Sequence, residues 1–230
     1  AGEFVAPYVD TVEEDVEMIL DLADVGVGDY LIDLGAGDGR FVIGAAQRGA
    51  LAHGVELEPT LVDRARANAE RVGVSDRTHF EVVYIFDADI SMSAVVTIYL
   101  FPEANIALRP KLLAELAPGT RLVSNSFHMG DWTPDARAQG RTSGGALLWI
   151  IPANAAGIWR FTTPQGPARL TIEQRYQRIE ARLEINGTRV PLESAVLHGD
   201  VIQCVAAGGT LALHGRISDT HLHGQLTLAG

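Results

Sequence analysis

Apolar positions follow two different rhythms along this 230-residue chain, and the change between them falls near residue 152. In the first part, strand-length apolar runs alternate with stretches of helical period. Val12, Val16, Ile19, Leu20 and Ala23 share one helix face, with Thr11 and Glu14 ahead of them in the spacing of a capping box. That helix should end near Gly26. A strand at Tyr30–Leu34, a helix at Arg40–Arg48 and a strand at Leu51–Leu57 follow. Pro59 and Thr60 then open a helix that Gly73 stops. Thr78–Val83 and Ala94–Phe101 read as strands, Leu108, Leu112, Leu113 and Leu116 as a helix ending at Pro118-Gly119, and Arg121–Ser126 as a fifth strand. Such alternation predicts an α/β, Rossmann-like fold with a parallel sheet, right-handed crossovers and a ligand at the strands' carboxyl ends.

Leu147–Ile151 reads as one more strand of that sheet. Beyond it the helical period disappears. Trp159–Phe161, Arg169–Gln174, Ile179–Ile185, Val190–Val196, Val201–Val205, Leu211–Ile217 and His221–Leu228 are short alternating runs, with hairpin turns expected at Asn186-Gly187 and Gly208-Gly209. The expectation is a domain over 1–152 followed by an antiparallel β domain over 153–230, a small barrel or a sandwich.

Charge narrows the choice of partner. The formal net charge is −11 and no Lys/Arg run occurs, which argues against a nucleic-acid substrate. The single cysteine, Cys204, excludes an intrachain disulfide and leaves no cysteine pair for zinc, so it reads as a small buried hydrophobe. His214, His221 and His223 lack a clear fourth ligand, and no metal is expected. No apolar run reaches the ~20 residues of a membrane span, so a cytoplasmic location is expected. The start at Ala-Gly-Glu-Phe, without methionine, leaves a removed leader open.

The chemistry-bearing stretch is Leu31-Ile-Asp-Leu-Gly-Ala-Gly-Asp-Gly-Arg40, a strand running through a glycine turn into a helix. A dinucleotide fingerprint would need glycine at position 40, where this chain has arginine. Asp33-x-Gly35-x-Gly37-x-Gly39 instead resembles motif I of the class I methyltransferases, which bind S-adenosylmethionine. The resemblance implies that Asp33 meets the cofactor's ammonium, while Gly35, Ala36 and Gly37 let it lie against the turn. Glu56, about 20 residues beyond the turn, stands where nucleoside-binding α/β folds place a carboxylate for ribose hydroxyls.

Ala94-Val-Val-Thr-Ile-Tyr-Leu-Phe-Pro-Glu103 and Pro118-Gly-Thr-Arg-Leu-Val-Ser-Asn-Ser-Phe-His-Met-Gly-Asp-Trp132 narrow the likeness. Over roughly residues 8–152 the chain resembles the seven-β-strand lysine methyltransferases related to those that modify the mitochondrial adenine nucleotide translocase and the ATP synthase c subunit. The implied cofactor set adds Tyr8, Thr11, Leu57, Tyr84 and Ile85 to the residues above. Tyr84 is a departure, because an acidic residue usually stands there to accept from the adenine amino group, and a tyrosine is not an equivalent acceptor. Asp87 or Asp89 could substitute through a shifted loop.

The same resemblance implies that Tyr99, Phe101 and Pro102 shape the acceptor channel. Asp131, with His128 and Trp132, lies on the loop after the fifth strand and could position an acceptor or assist its deprotonation. Loop polarity accounts for His128 and Asp131 equally well, and Trp132 suits packing. The expected reaction is methyl transfer to a lysine of a protein substrate. Two alternatives stay open, a small-molecule acceptor and a noncatalytic cofactor-binding module. The oligomeric state is undetermined.

Overall fold

The computed structural model describes residues 11–141, 144–209, 211–218 and 220–228, which form two compact units parting between Trp149 and Ile150. The first holds α1 (Glu13–Leu22), β1 (Tyr30–Leu34), α2 (Arg40–Gln47), β2 (Leu51–Glu56), α3 (Pro59–Val72), β3 (Thr78–Val82), β4 (Val95–Ile98), α4 (Pro102–Glu115), β5 (Arg121–Asn125), β6 (Ala136–Ala138) and β7 (Ala146–Ile150). Its seven-stranded sheet has the order β3-β2-β1-β4-β5-β7-β6. Neighbours among β1 to β5 run parallel, while β6 and β7 pair antiparallel. The strand order reverses at β1, so the carboxyl ends of β1, β4 and β5 stand side by side, the crevice where open α/β sheets place ligands.

Local chemistry explains most boundaries. Pro59 begins α3 behind Glu58, whose carboxylate accepts from the Thr60 N–H, and Gly73 closes the helix at φ +75°. Gly39 starts α2 at φ +85°. A β-carbon there would lie 2.8 Å from the Phe80 ring, and one at Gly54 would lie 2.6 Å from it, so both glycines are also packing sites. The Thr11 capping box does not form. Val12 is the N-cap, without a side-chain cap bond, and buried Thr11 is drawn off to accept a 3.3 Å hydrogen bond from Asn125 Nδ2. The strand expected over Ala94–Phe101 stops at Ile98, because Phe101 adopts the N-cap role and Pro102 becomes the first residue of α4, where a missing N–H costs nothing. Strand β6 is too short to carry a period and was not expected.

The second unit contains β8 (Gly157–Thr163), β9 (Gly166–Arg175), β10 (Arg178–Ile185), β11 (Thr188–Val190), β12 (Leu192–His198), β13 (Val201–Ala206), β14 (Leu211–Ser218) and β15 (His221–Leu228). Two four-stranded antiparallel sheets, β11-β10-β9-β8 and β12-β13-β14-β15, share a core that includes Leu170, Leu183, Leu197, Ile202 and Leu213. It is a sandwich. The single strand expected at Val190–Val196 is two, separated by Pro191, which lacks a ladder donor; β11 pairs with β10 and β12 with β13, so the chain changes sheets there. Cys204 lies in this core, and burial pushes its thiol up to about 11.

Candidate active site

The site is built from the carboxyl end of β1 outward. Asp33 is paired in register with Thr97 of β4, whose hydroxyl donates to Asp33 Oδ1 at 2.7 Å. The second oxygen, Oδ2, is buried and has no hydrogen-bond partner. Burial pushes the carboxyl up to about 7, against the lowering effect of the Thr97 bond, and the charges of Glu56 and Asp38 push the same way as burial. A cation meeting Oδ2 would satisfy the orphaned acceptor and relieve this electrostatic load.

The turn beyond Asp33 is set by its neighbours. Gly35 and Ala36 both donate their N–H to the Val55 carbonyl, at 2.8 and 3.0 Å, while Gly37 donates to Glu56 Oε2 at 2.9 Å. Ala36 is buried, so it serves the sheet as much as the turn. Gly35 holds φ +91°, and a β-carbon on it would sit 3.3 Å from Leu100 Cδ2, which ties the turn to the loop after β4. Glu56 Oε1 accepts from the N–H groups of Leu57 and Glu58, at 2.8 and 3.1 Å. The sequence-predicted pair, Asp33 and Glu56, thus brackets the glycine turn, with Leu57 exposed beside it.

The turn is also braced from α2. Asp38 accepts from Arg40 Nε and Nη2 at 2.8 and 2.7 Å, and Arg40 Nη1 donates to the Thr11 carbonyl. Thr11 is consequently a structural anchor whose hydroxyl and carbonyl are both engaged. Tyr8 lies outside the described residues.

After β3, Val83 donates its N–H to the Glu56 carbonyl at 3.0 Å, which carries Tyr84 toward the end of β2. Half-buried Tyr84 lies against Phe86 with ring centres 5.2 Å apart. Ile85 points its side chain into the core and has only backbone to offer a ligand. Asp89 is occupied by Ser91, whose N–H and hydroxyl both donate to it and hold its carboxyl below the usual range; Asp87 is exposed.

Beyond β4 and β5 lies an aromatic cluster. Tyr99 stacks with Phe127 at 6.1 Å, and Phe101, 45% exposed, meets Phe127 at 5.8 Å. Fully buried Asn105 of α4 holds the post-β5 loop by donating to Ser124 Oγ at 3.1 Å and to the Phe127 carbonyl at 3.3 Å. Neither Phe127 nor Asn105 was expected. Thr97 was also missed, although a lone polar residue in an otherwise apolar strand was a usable signal.

Asp131, expected to position an acceptor or assist its deprotonation, also holds its own loop in place. Arg109 of α4 donates to its Oδ1 at 2.5 Å and to the Met129 carbonyl at 2.9 Å, so Asp131 fastens the loop to α4. His128 Nδ1 accepts the Gly130 N–H at 3.0 Å, a turn contact. Trp132 is 1% exposed, packs on Trp149 and accepts its Nε1–H at 3.0 Å through the backbone carbonyl.

Known proteins resemble the first unit of this chain. Residues 33–136 match the ANTKMT methyltransferase domain. A protein-lysine N-methyltransferase of Saccharolobus islandicus is 42% identical over 130 residues, 56% of this chain and 81% of that protein. The adenine nucleotide translocase lysine N-methyltransferase of Mus musculus is 37% identical over 131 residues, again 56% of this chain but only 57% of the relative. The match therefore spans little more than half the length of that enzyme. A solved Salinibacter ruber structure, described as an RNA methyltransferase in complex with S-adenosyl-L-homocysteine, superposes with a TM-score of 0.62 at 45% identity, covering 64% of this chain and 95% of that one.

Proposed function

From the premise that this chain belongs to the family of the ANTKMT methyltransferase domain, an S-adenosylmethionine-dependent methyltransferase family, we propose that it methylates a lysine amine of a protein. The cofactor fits the residues present. Asp33 Oδ2 is an unpaired buried acceptor for its ammonium, Gly35 holds a left-handed turn without a side chain, and Glu56 faces the turn from β2. When bound, it supplies an electrophilic methyl group on a sulfonium.

The observation that carries the acceptor assignment is the Tyr99, Phe101 and Phe127 cluster at the ends of the strands adjoining β1. Aromatic faces suit a lysine's apolar stem and its cationic head. The rings hold and orient the side chain, and the amine attacks once it has lost its proton. Asp131 is paired with Arg109 and His128 Nδ1 accepts the Gly130 N–H, so the contribution argued for the chain is alignment, with the proton leaving to solvent.

An RNA acceptor is the second reading, favoured by the description of the Salinibacter relative. Residues 1–149 carry 23 acidic against 11 basic side chains, a surface that repels phosphates. Labelled S-adenosylmethionine, incubated with the chain and a cell extract split by nuclease or protease digestion, decides between them. Label surviving nuclease and mapping to lysine in peptide mass spectra supports the proposal; label lost with nuclease overturns it.

A further inference from the structure

We propose that His53, His79 and Glu81 form a transition-metal site, of the kind Zn²⁺ occupies, on the β2–β3 edge of the sheet. His53 and His79 are direct partners in the parallel pairing of β2 and β3, and Glu81 lies two residues beyond His79 on the same face. Phe80, which points to the opposite face, lies against Gly39 and Gly54. The face bearing the histidines is open at this edge, where His79, Glu81 and Leu51 are exposed.

The ligand geometry is specific. One donor atom from each of the three residues lies within 4.8 Å of the other two. His53 Nε2 stands 3.4 Å from Glu81 Oε2, an ion-pair contact too poorly aligned for a well-formed hydrogen bond. Two ligands held about 2.0–2.1 Å from one tetrahedral zinc ion lie about 3.3–3.4 Å apart, so the spacing is that of atoms sharing a metal. Exposed His79 can rotate to close the third position.

A fourth residue orients the site. The Tyr30 hydroxyl is 3.2 Å from His53 Nδ1. When Nδ1 carries the imidazole proton and donates it to Tyr30, the Nε2 lone pair faces the Glu81 carboxylate, an arrangement that a cation between them stabilises. Outer partners of this kind fix a ligating histidine's tautomer. Water supplies the remaining coordination. A metal here would staple edge strand β3, which leads to Tyr84, onto β2.

The test uses the full chain, freed of any affinity tag and stripped with chelator, titrated calorimetrically with Zn²⁺, and with Co²⁺ for its tetrahedral absorption. One ion per chain is expected, with a rise in thermal midpoint. His79→Ala and Glu81→Gln alter exposed residues and should each abolish saturable binding, leaving circular dichroism and cofactor affinity unchanged. Tyr30→Phe should weaken binding about ten-fold. The proposal fails if no saturable binding is seen, or if binding persists in both the His79 and Glu81 variants, which would mark the ion as adventitious.

Discussion

Thr97 donates its hydroxyl to Asp33 across the β1–β4 pairing, and this single bond satisfies one oxygen of a carboxyl group that is 2% exposed. The other oxygen is unpartnered, and the group titrates near 7 in the folded chain against 3.8 without its surroundings. The folded state therefore holds the extra proton. The contribution of this one group to stability is fully present below about pH 4 and is lost as pH rises through about 7, a cost of order 4 kcal/mol. Asp33→Asn should flatten the part of the pH dependence that lies between these values and be the more stable protein at pH 8. Urea unfolding of both proteins at pH 5 and pH 8 checks this.

Cofactor binding should run in the opposite direction. An ammonium requires the ionised form of Asp33, so affinity for S-adenosylmethionine should rise between pH 6 and pH 8 in the natural sequence, with proton release visible as a buffer-dependent heat. In Asp33→Asn the affinity should be low and nearly independent of pH. A steep dependence that survives the substitution would assign the titration to another group.

Gly35 and Gly119 hold nearly the same backbone angle, φ +91° and +94°, but only Gly35 has a neighbour, Leu100, within reach of a new β-carbon. Alanine at either position should cost about 1–2 kcal/mol for its left-handed backbone. Only Gly35→Ala should also weaken cofactor binding. Thermal melts and calorimetry on the pair separate strain from site geometry.

Removing charge at Asp131 should matter little. Its pair with Arg109 is partly exposed, and such pairs contribute about 0–1 kcal/mol. Asp131→Asn is expected to change kcat by less than about threefold, whereas loss of a general base costs about 10²–10⁴-fold. A drop in the larger range would return Asp131 to the chemistry.

At Tyr84, the ring should count and the hydroxyl should not. A base stacked on an aromatic side chain gains about 1–3 kcal/mol, so Tyr84→Ala should weaken cofactor affinity about ten-fold to a hundred-fold while Tyr84→Phe retains it. Equal losses in both would make the hydroxyl the recognition element.

Much of the first unit was legible because its signals are local. The central strands β1 and β4 are short apolar runs, and Pro59, Gly73 and Pro102 punctuate the helices by backbone chemistry alone. What stayed hidden depends on register and tertiary competition. Thr97 gains its role only by lying opposite Asp33, and His53 and His79 meet only because β2 and β3 pair. Thr11 and Glu14 had the right spacing for a cap, but Asn125, more than a hundred residues away, took the hydroxyl. Pro191 was visible from the start; that it moves the chain between sheets follows from partners the local pattern does not name.

The two glycines that lean on Phe80 also carry an evolutionary consequence. With Gly39 at the mouth of α2 and Gly54 in β2 both facing one ring, a side chain at either position is admissible only if residue 80 shrinks with it. Positions 39, 54 and 80 should therefore drift as a linked trio among descendants of this sequence. Shrinking residue 80 alone would not release the two glycines, because Ala65 stands 2.9 Å from a β-carbon at Gly39 and Ala36 stands 2.8 Å from one at Gly54, so the wall of this turn can change only by several substitutions together.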